Sequence, residues 1–144
     1  MGMSSYVHLV TQVEGLHHWP DAEHPEQYLR APHRHLFVVT AQVQVFTHDR
    51  EIEINAATRW MTGILASLAV PEPGRSVATT PADADTLLDF GPQSCERLAA
   101  RLVDALTERY GRHRRTRCTV TEDGLLGAGV TWHPAPARAS GLGS

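Results

Sequence analysis

The sequence predicts an α+β fold in which two strands are followed by two helices and then by two further strands. Two observations support this order. The first is that apolar and polar residues alternate near both ends of the chain. The second is that apolar residues recur every three to four positions in the middle of the chain. The length of 144 residues, with 42% hydrophobic and 20% charged residues, suits a single domain around one core.

The first two predicted strands cover residues 6–13 and 33–46. Val7, Leu9 and Val13 fall on one face of the first strand. The second strand has the clearest alternation, and its apolar positions are Phe37, Val39, Ala41, Val43 and Val45. A polar loop of residues 19–32 joins the two, and its length indicates that it carries a function.

Helical spacing begins at about residue 55 and ends before Pro71, and it returns after Ser94 until Gly111. Residues 69–86 between these helices are predicted to be a low-order connector. Two short strands follow at residues 117–121 and 128–132, around a turn at Asp123-Gly124. We expect one domain over residues 1–132 and a disordered tail over residues 133–144.

Composition narrows the function classes. A formal charge of −3 argues against a broad nucleic-acid surface, and the run of Arg112, Arg114, Arg115 and Arg117 is interpreted as a solvated turn. No apolar stretch reaches the ~20 residues of a membrane helix, and no charged leader begins the chain. Two cysteines without a CxxC pair indicate free thiols in a reducing compartment, so a cytoplasmic location is expected. The absence of lysine excludes Schiff-base chemistry on a lysine amine.

A His-x-His pair at the start of the second strand predicts a metal site. Side chains two apart in a strand share a face, so His33 and His35 have Cα atoms roughly 6.5–7 Å apart and can bind one ion. Zinc in catalytic sites takes three protein ligands, and the third could come from His17, His18 or His24. If the first strand continues without a bulge, His17 shares the face of Val7, Leu9 and Val13, which favours it over His18.

Four motifs, in order, are similar to those of a known family. They are Gly15-Leu16-His17, His33-Arg34-His35, Ser94-Cys95-Glu96-x-Leu98-Ala99 and Val120-Thr121-Glu122. Over residues 6–132 the chain thereby resembles the 6-pyruvoyltetrahydropterin synthase family, which includes the 6-carboxytetrahydropterin synthases of the queuosine pathway. The resemblance implies a tunnelling fold (T-fold), a four-stranded antiparallel sheet with two helices on one face, which oligomerises into a barrel.

By the same resemblance His17, His33 and His35 correspond to zinc ligands, and Glu122 to the carboxylate that anchors a pterin ring. Ser94 and Cys95 match a polar pair beside the pterin, although Cys95 also fits the apolar stripe of its helix. The expected partner is therefore a pterin or a related purine-derived heterocycle, bound to a homo-oligomer, with neither nucleic acid nor membrane as a partner.

The chain departs from the family at the groups that move protons. Leu29 occupies the position of the family's cysteine, and no histidine lies between His48 and His113 to form its Asp-His pair. Replacements are open among the following weak candidates: His18, His24, Asp21, Glu26 and Asp89. Glu14, Asp21 and Glu26 could instead orient the ligand imidazoles.

Three functions remain open from the sequence. The first is a zinc-dependent lyase of the pterin-synthase type, acting by elimination or side-chain rearrangement. The second is a catalytically silent module that keeps the metal and heterocycle sites. The third is an unrelated metalloenzyme such as a small iron oxygenase, which commonly uses two histidines and one carboxylate.

Overall fold

Five strands and two helices form the described part of the computed structural model, which comprises residues 2–70 and 87–136. The strands are β1 (Ser5–His17), β2 (His33–Val45), β3 (Leu88–Asp89), β4 (Thr116–Glu122) and β5 (Leu126–Trp132). The helices are α1 (Ile54–Ser67) and α2 (Cys95–Tyr110), and a short 3-10 helix covers Gln27–Arg30. The predicted α+β class is confirmed.

The sheet differs from the predicted four-stranded antiparallel one. Its strand order is β3-β1-β2-β4-β5, and β3 lies parallel to β1 through the pairs Gly15↔Leu88 and Leu16↔Asp89. The other pairings are antiparallel. The prediction of a purely antiparallel, four-stranded sheet was wrong because a two-residue strand is too short to show any periodicity.

The first strand is longer than predicted, and this extension positions the histidines. Its register with β2 is continuous from Ser5↔Val45 to His17↔His33. The unbroken register meets the condition on which the choice of His17 over His18 depended. Most of the connector predicted at 69–86, and the tail from residue 137 onward, lie outside the described residues.

The core lies on one face of the sheet, where both helices pack. The inward side chains of β2 and β4 include Phe37, Val39 and Val120, each with no exposed area. The helices add the following buried apolar residues: Ala57, Met61 and Leu65 from α1, and Leu98, Leu102 and Leu106 from α2. Cys95 and Cys118 are free, buried thiols. No helix within the described ranges is long and apolar enough to cross a membrane.

Side chains and a glycine define the ends of the helices. The Glu53 carboxylate accepts from the amides of Asn55 and Ala56 at the start of α1. Ser94 Oγ accepts from Arg97 N at 3.1 Å at the start of α2. Gly111 ends α2 with a φ of 111°, a conformation that side-chain-bearing residues rarely adopt.

We expect Gly127→Ala to separate β4 from β5. A Cβ at residue 127 would lie 2.0 Å from Val120 O and 2.6 Å from Thr121 Cα, and these backbone atoms cannot rotate away. The free energy of unfolding should fall by about 1–3 kcal/mol or more, measured by urea denaturation. Gly129→Ala is the control, because its nearest neighbour is the Thr119 hydroxyl at 3.1 Å. An equal loss in both variants would contradict this account of the strand pair.

Candidate metal centre and adjoining cleft

The sheet register brings four potential metal ligands to one end of the core-facing side. His17 lies directly opposite His33, and His35 follows two residues later on the same face, opposite Gly15. Glu122 is the last residue of β4 and lies opposite Phe37. Because all four positions share the parity of Phe37, their side chains leave the sheet on the same side.

The four side chains form a cluster. The ring centroids of His17 and His33 are 4.5 Å apart, those of His33 and His35 are 5.0 Å apart, and those of His17 and His35 are 5.4 Å apart. Glu122 Oε1 lies 2.9 Å from His17 Nε2, and Glu122 Oε2 lies 3.4 Å from His35 Nε2. One ligand atom from each residue lies within 4.8 Å of the others.

Each of the three histidines has an oxygen acceptor at Nδ1. His17 Nδ1 lies 3.2 Å from Gln93 O, His33 Nδ1 lies 3.1 Å from Ala31 O, and His35 Nδ1 lies 2.8 Å from Asp123 Oδ2. A proton on each Nδ1 forms a hydrogen bond to its oxygen acceptor. The lone pair of each imidazole is then on Nε2. This is how the second hydrogen bond of a metal-binding histidine fixes its tautomer.

Within the described ranges of the chain, the resulting tautomer leaves the buried Nε2 of His17 without a hydrogen bond. Its lone pair faces a carboxylate oxygen of Glu122 at 2.9 Å. Two acceptors at this distance repel each other unless a cation or a proton lies between them, and burial strengthens the repulsion. The arrangement therefore fits a bound cation.

The spacing also fits a small ion after limited adjustment. Ligand atoms around tetrahedral zinc, at about 2.0–2.1 Å from the metal, are roughly 3.3–3.4 Å apart. The separations of at most 4.8 Å therefore require the side chains to close by at most about 1.5 Å. His17, His33, His35 and Glu122 could hold a metal ion.

Burial sets the protonation of two groups at the site. It lowers the pKa of His17 below its ordinary value, partly offset by the Gln93 carbonyl and the Glu122 carboxylate. The neutral imidazole that results is the form that binds metal. Burial, with a further contribution from Glu122, raises the pKa of Cys95 to about 12, so this thiol is protonated at neutral pH.

A cleft of about 450 Å³ adjoins the cluster. His17, His33 and Glu122 form one part of its wall, and Ser94 and Cys95 at the start of α2 form another. Its remaining lining residues are His18, Trp19, Leu29, Pro92, Gln93, Glu96, Leu126 and Gly127. Ser94 and Cys95, named from the sequence as ligand contacts, thus lie beside the residues that could hold a metal ion.

Of the weak candidates for proton transfer, His18 alone lines this cleft. Its Nδ1 is buried and, among the residues that the structure describes, has no hydrogen-bond partner. Asp21, His24 and Glu26 are exposed and do not line the cleft. Asp89 lies in β3, where its Oδ1 accepts from Gly91 N at 2.8 Å.

Two further sequence interpretations concern positions around the cluster. Glu14, considered for orienting a ligand imidazole, instead forms an ion pair with Arg34 on the opposite side of the sheet. The Leu29 side chain lines the cleft. It presents an apolar group at the position that the sequence resemblance matches to a cysteine.

Sequence reasoning missed Asp123 as a part of the site. It was assigned only to the turn, which it does form, with φ of 58° for Asp123 and 72° for Gly124. Its carboxylate also accepts from Leu36 N at 2.9 Å and from His35 Nδ1. These hydrogen bonds lower the pKa of Asp123, and the one from Leu36 N contributes most. An acidic residue in the turn directly after Glu122 was the available signal.

We expect Asp123→Asn to weaken the binding of a divalent ion at this cluster, measured with Zn²⁺ as the probe, by about 10-fold, within the range for partners of ligand histidines. Asparagine tolerates the positive φ but removes the negative charge that orients and polarises the His35 ring. A competition titration with a chromophoric chelator measures the change. Asp21→Asn, which removes an equal charge from an exposed loop position, should leave the affinity unchanged; equal effects would reduce Asp123 to a general electrostatic role.

Comparison with protein-family models gives no match, and comparison with curated proteins gives none either. Function is therefore argued from the cluster and its cleft.

Proposed function

We propose that this chain is a zinc-dependent, 6-pyruvoyltetrahydropterin synthase-like protein of the T-fold. It binds a pterin or a related purine-derived heterocycle in the cleft and acts on its side chain by elimination or rearrangement. The grouping of three histidines, of which His17 and His33 also line the adjoining cleft, is the observation that supports this proposal most strongly.

The donor set favours zinc. Three imidazole nitrogens suit a borderline-soft ion, and they leave the fourth position of tetrahedral zinc open for a substrate atom. An iron oxygenase site commonly uses two histidines and one carboxylate, whereas here the third imidazole, His17, is as closely placed as the other two. The site thus supports zinc over non-haem iron.

The cleft suits a flat heterocycle with a polar edge. Trp19, Leu29 and Leu126 supply apolar surface, and the indole ring can stack on a planar ligand. When the three histidines alone hold the ion, the Glu122 carboxylate stays free to accept two parallel N–H bonds from an aminopyrimidine edge. The Ser94 side chain lines the cleft at the start of α2, where its hydroxyl accepts from Arg97 N.

Bound zinc would act as a Lewis acid that polarises an oxygen of the substrate side chain. The chain's own residues would position that side chain between the histidines and His18, whose imidazole lines the same cleft and would accept a proton from it. Cys95, protonated at neutral pH, donates a hydrogen bond from the cleft wall and does not act as a base.

A silent binding module is the second candidate, and two observations favour it. Leu29 lines the cleft in place of a thiol, and the nearby thiol of Cys95 lies 3.9 Å from Glu122 Oε1 as a hydrogen-bond donor. Such a protein would bind zinc and heterocycle without turnover.

Assembly into a homo-oligomer belongs to the same proposal. In the described part of the sheet, β5 pairs on one side only, with β4. Leu125 in the adjoining turn and Leu126 at the start of β5 have exposed fractions of 82% and 75%. An unpaired strand edge beside apolar side chains is the kind of surface through which a second copy can extend a sheet.

The test is incubation of the zinc-loaded protein with dihydroneopterin triphosphate and related dihydropterins, followed by mass spectrometry. The proposal predicts saturable binding and a product with an altered side chain, formed at least about 100-fold more slowly by His18→Gln. Binding without product supports the silent module. Absence of binding by zinc-loaded protein overturns both.

A further inference from the structure

The basic run that was interpreted as a solvated turn is divided by the fold into two pairs. Arg114 forms an ion pair with Glu51 and donates to the carbonyls of Tyr110 and Gln44. The Arg112 guanidinium lies 5.4 Å from the centroid of the Trp132 ring. Both arginines are engaged in holding the structure together.

In the described part of the chain, the side chains of Arg115 and Arg117 make no such contacts. Both are exposed, and within residues 2–70 and 87–136 neither guanidinium has a carboxylate partner. The two residues lie two positions apart, Arg115 directly before β4 and Arg117 within it. Their Cα atoms are therefore roughly 6.5–7 Å apart with side chains on the same face, the one opposite the helices.

A groove of about 320 Å³ lies on this open face. We call it the sheet-face groove, and its main lining residues are Tyr6, Gln42, Gln44, Arg115, Arg117 and Thr131. Serines from the start of the chain and His133 complete its lining, which contains no acidic residue. A patch with two arginines and no carboxylate contrasts with the net charge of −3 for the whole chain.

The backbone register explains why these donors meet. Gln42 lies opposite Arg117, and Arg117 lies opposite Thr131 on the next strand. One strand position away, Gln44 lies opposite Tyr6, and its Oε1 accepts from Arg115 N at 2.9 Å. With that oxygen engaged, the Gln44 amide group retains its N–H donors for the groove.

We propose that the sheet-face groove binds a small phosphate-bearing anion, such as a diphosphate or a phosphate monoester. Two guanidinium groups within reach of one another match the oxygens of a phosphate or diphosphate, and the surrounding hydroxyl and amide groups supply neutral hydrogen bonds. The site is separate from the metal cluster. It lies on the opposite face, and Gln42 is seven residues, or about 23 Å, along β2 from His35.

Isothermal titration of the zinc-loaded full chain with inorganic pyrophosphate tests this proposal. We expect saturable binding that weakens at least about 10-fold in Arg117→Ala and in Arg115→Ala. Arg59→Ala is the matched control, because it removes the same charge from an exposed position on α1 outside the groove. Its affinity for pyrophosphate should equal that of the wild type.

Two further titrations are needed. The first distinguishes pyrophosphate bound in the groove from pyrophosphate bound at the metal cluster. The second tests whether the groove prefers nucleic acid. His33→Ala should retain pyrophosphate binding, since a phosphate held at the metal cluster would be lost with the metal. A single-stranded oligonucleotide should bind no more tightly than pyrophosphate. Absence of saturable binding, equal weakening in Arg117→Ala and Arg59→Ala, loss of binding in His33→Ala, or markedly tighter oligonucleotide binding would each overturn the proposal.

Discussion

Replacing His33 by alanine is expected to weaken zinc binding by at least about 100-fold. Losing a partner of a ligand histidine already costs about 10–100-fold in affinity, and losing a ligand should exceed that loss. His33 is half-buried and lies at the start of β2, so its removal should leave the core intact. Competition with a chromophoric chelator gives the affinity, and circular dichroism confirms the fold.

The control for this variant is His8→Ala. His8 lies on the same sheet, in β1, but it is exposed and points away from the helices. Its replacement should leave zinc affinity within about 2-fold of the wild type. If both variants bind zinc equally, the ion is held elsewhere and the cluster is not its site.

Phe37→Ala is expected to lower the free energy of unfolding by about 3–5 kcal/mol. The Phe37 ring has no exposed area and lies under the metal cluster, with its centroid 5.1 Å from that of His17 and 6.0 Å from that of His35. It also packs edge-on against Phe90, at 5.2 Å. Alanine would leave a cavity between the cluster and the core, because the rigid sheet cannot close over it.

Phe46→Ala is the matched control for Phe37, measured by urea denaturation of the zinc-free protein. Phe46 lies just beyond the end of the same strand with 57% of its surface exposed, stacked on His113 and approached by Arg114. Its loss should cost about 1 kcal/mol. A Phe37 variant no less stable than the Phe46 variant would show that Phe37 does not support the site.

The histidine cluster could be predicted from local patterns because strand parity is a strictly local rule. His33 and His35 share a face in any straight strand, and His17 joins them once β1 continues without a bulge to pair with His33. The choice of His17 as the third member rested on the condition that β1 continues without a bulge, because the length of β1 could not be known from the pattern.

The contribution of Glu122 and Asp123 to the metal site could not be derived in the same way. Glu122 reaches the cluster because β4 pairs with β2 at Phe37, a contact between residues 85 positions apart. Asp123 contacts His35 because the turn directs its carboxylate back over β2. Non-local register of this kind has no signature in the spacing of a single sequence.

The two-residue β3 was missed for a different reason. Leu88 and Asp89 form their strand by pairing with the end of β1, where Gly15 leaves room for Phe90 and Phe37. A Cβ at residue 15 would lie 2.8 Å from the Phe90 ring. The strand is therefore a consequence of tertiary packing, and local propensity contributes little to it.

Zinc K-edge X-ray absorption on tag-free protein loaded with one equivalent of zinc tests the central claim most directly. Binding by His17, His33 and His35 predicts nitrogen or oxygen ligands at about 2.0–2.1 Å, the outer-shell scattering of imidazole rings and no sulfur at about 2.3 Å. A spectrum of fully hydrated zinc, or one with a sulfur ligand from Cys95, would contradict the three-histidine site.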